Sequence, residues 1–303
     1  MKNITTDLAV ESKEFISKKS DIDGVKSEEF TDNGFNVTKI DITTKEAAER
    51  LSKDIGTYIT IELNNVTNIS DIKEITEVIK RQLENLFPNK KFKNALIAGL
   101  GNRDMTPDAL GPLTTDNTLV TRHLKDVLPD YFKNDLLNTV SCISPGVLGK
   151  TGIETVESIK GMVEKINPDI VIVVDALASR GIKRLTNTIQ MSNTGLCPGG
   201  GVGNKRKEIS KNTLGTEVLS IGVPTVVDVA SLSYDILSIL NDSDIDTHHK
   251  QITDTLTQNN DNFLVSVNDI DEVMQKLSKI LGFSINRFLH HNLSFEEMES
   301  FIS

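Results

Sequence analysis

The feature that most constrains this chain is a repeated order of apolar strand, turn and amphipathic helix along its middle. Residues 170–174 (IVIVV) are apolar at every position, which is typical of a strand buried on both faces. Further strands are predicted at 57–63, 94–98 and 217–221. The alternation predicts a single α/β domain with three layers, in which a mostly parallel, twisted sheet lies between helices on both faces.

The spacing of apolar side chains and capping residues predicts where the helices lie. Thr151 with Glu154, and Ser294 with Glu297, have the spacing of a capping box and predict helix starts. Helical spacing predicts helices at 72–86, 114–124, 156–166, 230–240 and 270–281.

Two stretches, 12–34 and 241–262, are polar and contain few apolar side chains to bury. We expect both to be mobile or surface segments, the first with some local helix. Regular structure is expected to begin around Phe35. Both stretches are therefore read as polar insertions in the one domain.

Charge and composition argue against several classes of protein. The chain has 33 Lys and Arg against 43 Asp and Glu, a net charge of −10, which argues against binding to nucleic acid or to an anionic membrane. It has neither a membrane-length apolar run nor an apolar core near its N-terminus, so we expect a cytoplasmic protein. Two cysteines are too few for a disulfide framework or a four-ligand zinc site, and we expect no cofactor or metal.

Three carboxylates follow predicted strands, where open α/β sheets gather their catalytic groups. Asp175 comes directly after the buried run, Asp108 lies in a turn rich in Pro and Gly, and Asp228 follows a third strand. Each could instead be an ordinary helix cap or turn residue. If two of them meet, they cannot both ionise cheaply, so one keeps its proton. Such a pair can activate water and protonate a scissile amide without a metal.

Two glycine-rich segments resemble phosphate-binding loops, but neither has the required spacing. The segment beginning Gly99-Leu100-Gly101 has Asp104 where a dinucleotide loop needs its third glycine. The run at 198–207 lacks the Gly-Lys-Ser/Thr ending of a P-loop. We interpret the second run as a loop that contacts substrate or another subunit, or that is simply solvated.

Several long blocks, in their order along the chain, resemble the germination protease family of spore-forming bacteria. They are 99–102 (GLGN), 106–112 (TPDALGP), 119–124 (LVTRHL), 144–147 (SPGV), 151–155 (TGIET), 174–178 (VDALA), 201–207 (GVGNKRK) and 221–228 (IGVPTVVD). The resemblance covers roughly residues 6–240. It implies an endopeptidase that begins the degradation of small acid-soluble spore proteins, works as a homotetramer in the spore interior, and has a fold like that of hydrogenase-maturation peptidases.

The resemblance also implies which residues act. The family's two proposed catalytic aspartates correspond to Asp108 and Asp175. Residues 6–11 (TDLAVE) resemble the sequence that the family cuts in spore proteins, where Thr-Glu precedes an apolar residue, Ala, Ser and Glu. We therefore expect a precursor that cuts itself between Asp7 and Leu8, so that 1–7 is a propeptide and 8–303 the peptidase domain.

Two further roles and two alternatives remain open from the sequence. Lys205 and Arg206 could pair with the acidic side chain that precedes the cut. Asp228 could be a third carboxylate, which would suit a metal-assisted peptidase in which Asp108, Asp175 and Asp228 are oxygen ligands. The non-enzymatic alternative is an α/β module that binds a nucleotide or a partner protein.

Overall fold

The computed structural model of the chain describes residues 6–17, 22–200, 206–240, 244–256 and 263–302. Within these ranges one sheet contains nine strands in the order β1-β2-β3-β7-β8-β6-β4-β5, with β9 paired to β8. The strands are β1 (Val25–Asp32), β2 (Phe35–Ile42), β3 (Gly56–Glu62), β4 (Asn94–Gly99), β5 (Thr139–Ile143), β6 (Ile170–Ser179), β7 (Thr188–Ser192), β8 (Glu217–Asp228) and β9 (Leu264–Val265).

The described helices lie between and after these strands. They are α1 (Ala9–Ser17), α2 (Lys45–Leu51), α3 (Ile72–Leu86), α4 (Leu110–Asp116), α5 (Pro129–Lys133), α6 (Leu148–Thr151), α7 (Thr155–Ile166), α8 (Lys211–Leu214), α9 (Val229–Ile239), α10 (Ile245–Leu256), α11 (Ile270–Leu289) and α12 (Phe295–Ile302). None of them is both long and apolar enough to cross a bilayer.

The sheet has a parallel half and an antiparallel half. Strands β5, β4, β6 and β8 pair in parallel, as expected for strands joined by helical crossovers. Strands β1, β2, β3 and β7 pair antiparallel to one another, and β7 joins the parallel half antiparallel to β8. The predicted α/β class is confirmed, with a mixed sheet.

Strand β6 lies near the middle of the sheet and contributes to apolar clusters on both faces. Ile172 and Val174 pack in the cluster that includes the apolar sides of α3 and α11. Val171 and Val173, which point the other way because side chains alternate along a strand, pack with α7 and α8. A further cluster joins α1 and α2 to the antiparallel half of the sheet. Helices therefore cover both faces, as predicted.

Two helix starts differ from the sequence prediction. The helix predicted at 114–124 instead ends at Asp116 and begins at Leu110, because Pro112 falls in the first turn, where its missing N–H is not needed. Thr151 does not cap α7: its hydroxyl accepts a hydrogen bond from the Ile153 N–H, and the helix begins at Thr155. The second capping box is confirmed, because Ser294 and Glu297 exchange hydrogen bonds.

The prediction of a loose segment at 12–34 is wrong for residues 25–32. These residues form β1, which pairs along its whole length with β2. Asn33 and Gly34 both have positive φ, the conformation that a two-residue hairpin turn requires. The strand is polar because it is an exposed edge. In the second polar segment, residues 245–256 form α10, while 241–243 and 257–262 lie outside the described residues.

Candidate active site

Asp175 lies within β6 rather than after it, which corrects the sequence expectation. The strand continues to Ser179, and Asp175 projects from the same face as Val171 and Val173. The side chain is buried, and its Oδ1 accepts a hydrogen bond from the Ala176 N–H at 3.0 Å. The strand therefore holds a carboxyl group rigidly inside the molecule.

Asp108 approaches from the turn after β4. Its carboxylate accepts a hydrogen bond from the Asn102 N–H at 2.7 Å. The Thr225 hydroxyl, from β8, donates to the Pro107 carbonyl at 2.6 Å and fastens the turn to the sheet. Asp108 is thus fixed at the rim of the parallel half.

Glycines allow this turn to lie against the sheet. A Cβ at Gly111 would come within 2.3 Å of the Leu100 backbone and within 2.5 Å of the Val174 carbonyl. A Cβ at Gly101 would come within 2.0 Å of the Asp108 carbonyl. The glycines at 101 and 111 therefore allow backbone atoms to pack closely around the Asp108 turn. This packing explains the glycine-rich segment beginning at Gly99, which resembles a nucleotide-binding loop.

The two aspartates line one cavity of about 300 Å³. Asp7 and the half-buried Arg206 also line it, together with residues of β6, β8 and the loop at 198–199. Asp228 is not among the lining residues in the described part of the chain: its carboxylate accepts a hydrogen bond from the Ser231 N–H near the start of α9. Lys205 lies outside the described residues.

The cavity changes the acidity of both carboxyl groups. Burial raises the pKa of Asp175 well above its usual range, and the nearby carboxylates of Asp108 and Asp7 raise it further. Burial also raises the pKa of Asp108, against a smaller lowering by the Asn102 N–H. Because each proton affects the other site, the two groups titrate as a pair, and a singly protonated pair is favoured.

The segment predicted to be cut lies against the end of β6. The Asp7 N–H donates to the Ala178 carbonyl at 3.1 Å, and the Asp7 carboxylate accepts from the Ala178 N–H at 2.9 Å. Leu8 is fully buried in the cluster that contains Leu177. Four residues after Asp7, the Glu11 carboxylate accepts hydrogen bonds from two backbone N–H groups after β6, those of Arg180 and Gly181.

The carbonyl of Asp7, which belongs to the predicted scissile bond, has two side-chain donors. Lys53 Nζ lies 2.9 Å and Gln190 Nε2 lies 3.0 Å from this oxygen. Neither residue was predicted from the sequence. Alternation of apolar and polar side chains at 188–192 (TIQMS) could have indicated β7, but a polar residue in such a pattern normally faces solvent.

The described residues contain no group of three or more His, Cys, Asp or Glu side chains arranged to hold a metal ion. Of the three carboxylates that a metal site would need, the structure brings together Asp108 and Asp175 only.

The chain is similar along its length to proteins of one family. A profile of the germination protease family matches residues 4–243. Germination proteases of Clostridium perfringens and Clostridium tetani are 40% and 37% identical, over 100% and 99% of this chain and 100% of each relative. That of Bacillus pumilus is 34% identical over 98% of this chain and 96% of its own length. The chain belongs to the germination protease family.

Membership in this family confirms the resemblance drawn from the sequence blocks and supports a protease function. Among solved structures, the chain is similar to a nickel–iron hydrogenase maturation protease from Thermococcus kodakarensis. The similarity covers 69% of this chain and 98% of that one, at 17% identity and a TM-score of 0.35.

Proposed function

We propose that the chain is an endopeptidase that starts the degradation of small acid-soluble spore proteins and is made as a precursor that cuts itself between Asp7 and Leu8. One observation carries the proposal: Asp7 lines the same cavity as Asp108 and Asp175. The cavity thus holds an acidic side chain of the chain itself beside the two carboxyl groups that we propose hydrolyse the peptide bond after it.

The aspartate pair supplies the acid–base chemistry of this proposal. One ionised carboxylate takes a proton from water as the water oxygen bonds to the Asp7 carbonyl carbon. The protonated partner gives its proton to the Leu8 nitrogen as the C–N bond breaks. The products are a carboxylic acid at Asp7 and an amine at Leu8, and transfer of the acid's proton to the amine leaves a carboxylate and an ammonium group. From the sequence, Asp175 is the expected base and Asp108 the acid. The larger upward shift in the pKa of Asp175 favours the reverse order, with Asp175 as the protonated member, and that order uses the same atoms.

The contacts of residues 7–11 support recognition of an acidic substrate. The Asp7 carboxylate, just before the cut, accepts a hydrogen bond from the Ala178 N–H, and the Leu8 side chain just after it is buried. The carboxylate of Glu11, four residues after Asp7, accepts a backbone hydrogen bond as well. These positions match the acidic, apolar and acidic pattern of the family's cleavage sequence. Arg206 lines the same cavity, which supports its proposed pairing with the acidic side chain before the cut, and Lys205 is proposed to assist it.

The experiment is N-terminal sequencing after mild acid incubation of the wild-type chain and of Asp108→Asn and Asp175→Asn. We expect the wild-type chain to begin at Leu8 and both variants to keep residues 1–7 and to leave a Thr-Glu spore-protein substrate uncut. An exposed-site variant, Asp126→Asn, should behave as wild type. Cleavage by both aspartate variants would exclude the pair. Activity that a chelator abolishes and a divalent ion restores would favour the metal-assisted alternative.

On the family resemblance we further propose a homotetramer acting in the spore interior, without nucleic acid or membrane as a partner. The mass of the assembly in solution, measured by light scattering before and after self-processing, tests the oligomeric state.

A further inference from the structure

The Asp7 carbonyl oxygen lies within hydrogen-bond distance of two side-chain donors that come from separate parts of the chain. Lys53 lies two residues after the end of α2 at Leu51, and Ser52 between them has a left-handed backbone (φ 52°). Its Nζ donates to the carbonyl oxygens of Thr6 and Asp7, at 3.0 and 2.9 Å. Gln190 reaches the same Asp7 oxygen from β7 at 3.0 Å.

The Gln190 amide is fixed in orientation by two contacts. Its Nε2 donates to the Asp7 carbonyl, and its Oε1 accepts from the Ala9 N–H at 2.6 Å. The amide therefore bridges the residues on both sides of Leu8. Reversing it would place like groups together at both contacts, so the donor to the Asp7 carbonyl must be the Gln190 nitrogen.

The position of Gln190 relates it to the aspartate pair. Gln190 pairs with Gly222 of β8, and Gly222 pairs with Asp175 of β6. The three residues form one row across adjacent strands, so Gln190 and Asp175 project from the same face about 10 Å apart at their Cα atoms. Asp7 contacts both residues. Its backbone oxygen accepts a hydrogen bond from Gln190, and its carboxylate is near enough to Asp175 to raise the pKa of Asp175.

Charge develops on the carbonyl oxygen when water adds to the carbon. As the new C–O bond forms, the carbonyl π electrons move onto this oxygen, and they return when the C–N bond breaks. Donors held 2.7–3.1 Å from that oxygen in a site shielded from water stabilise the intermediate strongly. Both donors lie at such a distance from the oxygen before water adds to the carbon. The Lys53 ammonium adds positive charge. Removal of this group from water lowers the pKa of Lys53, and the carboxylates of Asp7 and Asp54 oppose that shift.

We infer that Lys53 and Gln190 form the oxyanion-binding site of the self-cleavage reaction. The inference rests on the proposed cut between Asp7 and Leu8. It assigns catalytic roles to two residues that contact the scissile carbonyl directly, in addition to the two aspartates.

The test measures the first-order rate of release of residues 1–7 from the full chain by mass spectrometry. Gln190→Glu keeps the acceptor for the Ala9 N–H and removes the donor to Asp7. We expect its rate to fall about 10²–10³-fold, as when one oxyanion donor is lost elsewhere. The deficit should shrink as the pH falls, because the new carboxyl, once protonated, can donate again.

The rate of release should also fall about 10²-fold in Lys53→Met. Lys125→Met, an exposed control, should process as wild type.

A wild-type rate in either donor variant would overturn the inference, as would a Gln190→Glu deficit that is the same at every pH. The latter result would mean that Gln190 only holds the segment. Asp108→Asn and Asp175→Asn are measured alongside. If both of them cut, the proposed function itself fails. If they are inactive while the donor variants cut normally, only the oxyanion assignment fails.

Discussion

At the scale of single residues, Asp175 is a buried carboxylic acid in surroundings that disfavour its ionised form. Its pKa is raised by burial and by two neighbouring carboxylates, so the folded chain binds this proton more tightly than the unfolded chain does. Its contribution to the free energy of unfolding is therefore full below the unfolded pKa of about 3.9, and is lost as the pH rises through the raised folded value. Asp175 therefore lowers the free energy of unfolding at neutral pH.

Replacing Asp175 by Asn should remove that cost. In an Asp108→Asn background, which we expect to keep residues 1–7 attached at every pH, Asp175→Asn should raise the melting temperature at neutral pH. The gain should disappear in acid. Calorimetry across the pH range measures it, and Asp126→Asn in the same background serves as an exposed control. An equal gain at pH 3 and pH 7 would contradict the explanation.

At the scale of elements, the site depends on how closely the Asp108 turn lies against β4 and β6. Gly111→Ala places a methyl group where backbone atoms already lie 2.3 Å away. We expect the turn to shift, self-processing to slow by at least about 10²-fold, since small misplacements of catalytic groups have effects of that size, and the melting temperature to fall. The rate of release of residues 1–7 and thermal unfolding measure the two effects.

Gly161→Ala, in the middle of α7, is the matched control. A Cβ there meets nothing within 4 Å. This substitution should leave the cleavage rate unchanged and stabilise the helix by about 0.5–1 kcal/mol. If both alanine variants process alike, close packing of the turn is not what positions Asp108.

The elements also explain how much of the site could be predicted from the sequence. Asp108 and Asp175 follow or belong to apolar strands of the parallel half, where strand ends converge on one rim. Gln190 comes from the antiparallel half, and its strand contains only five residues. Lys53 lies in a polar turn after a short helix. Both donors acquire a role only when the N-terminal segment lies on them, a long-range contact that local patterns cannot indicate.

At the scale of the whole molecule, the proposed function implies that residues 6–11 lie where a substrate peptide would bind. Leu8 and Ala9 belong to the buried cluster that joins α1 and α2 to the sheet, so the segment is part of the folded core. An intact precursor should therefore leave a Thr-Glu peptide uncut in trans until its own segment has been processed. Comparing peptide cleavage by the unprocessed and processed chains measures this, and equal rates would contradict it.

The burial of Leu8 has a consequence for what should follow the proposed cleavage. Hydrolysis turns the Leu8 amide nitrogen into an ammonium group in a residue with no solvent exposure, a position that strongly disfavours a cation. The new N-terminus at Leu8 should therefore leave the position that it occupies in the precursor. A single cleavage would then both remove residues 1–7 and free the binding site for a substrate. Amide hydrogen exchange in 8–17 should accelerate on processing, and unchanged protection there would argue that the binding site stays filled.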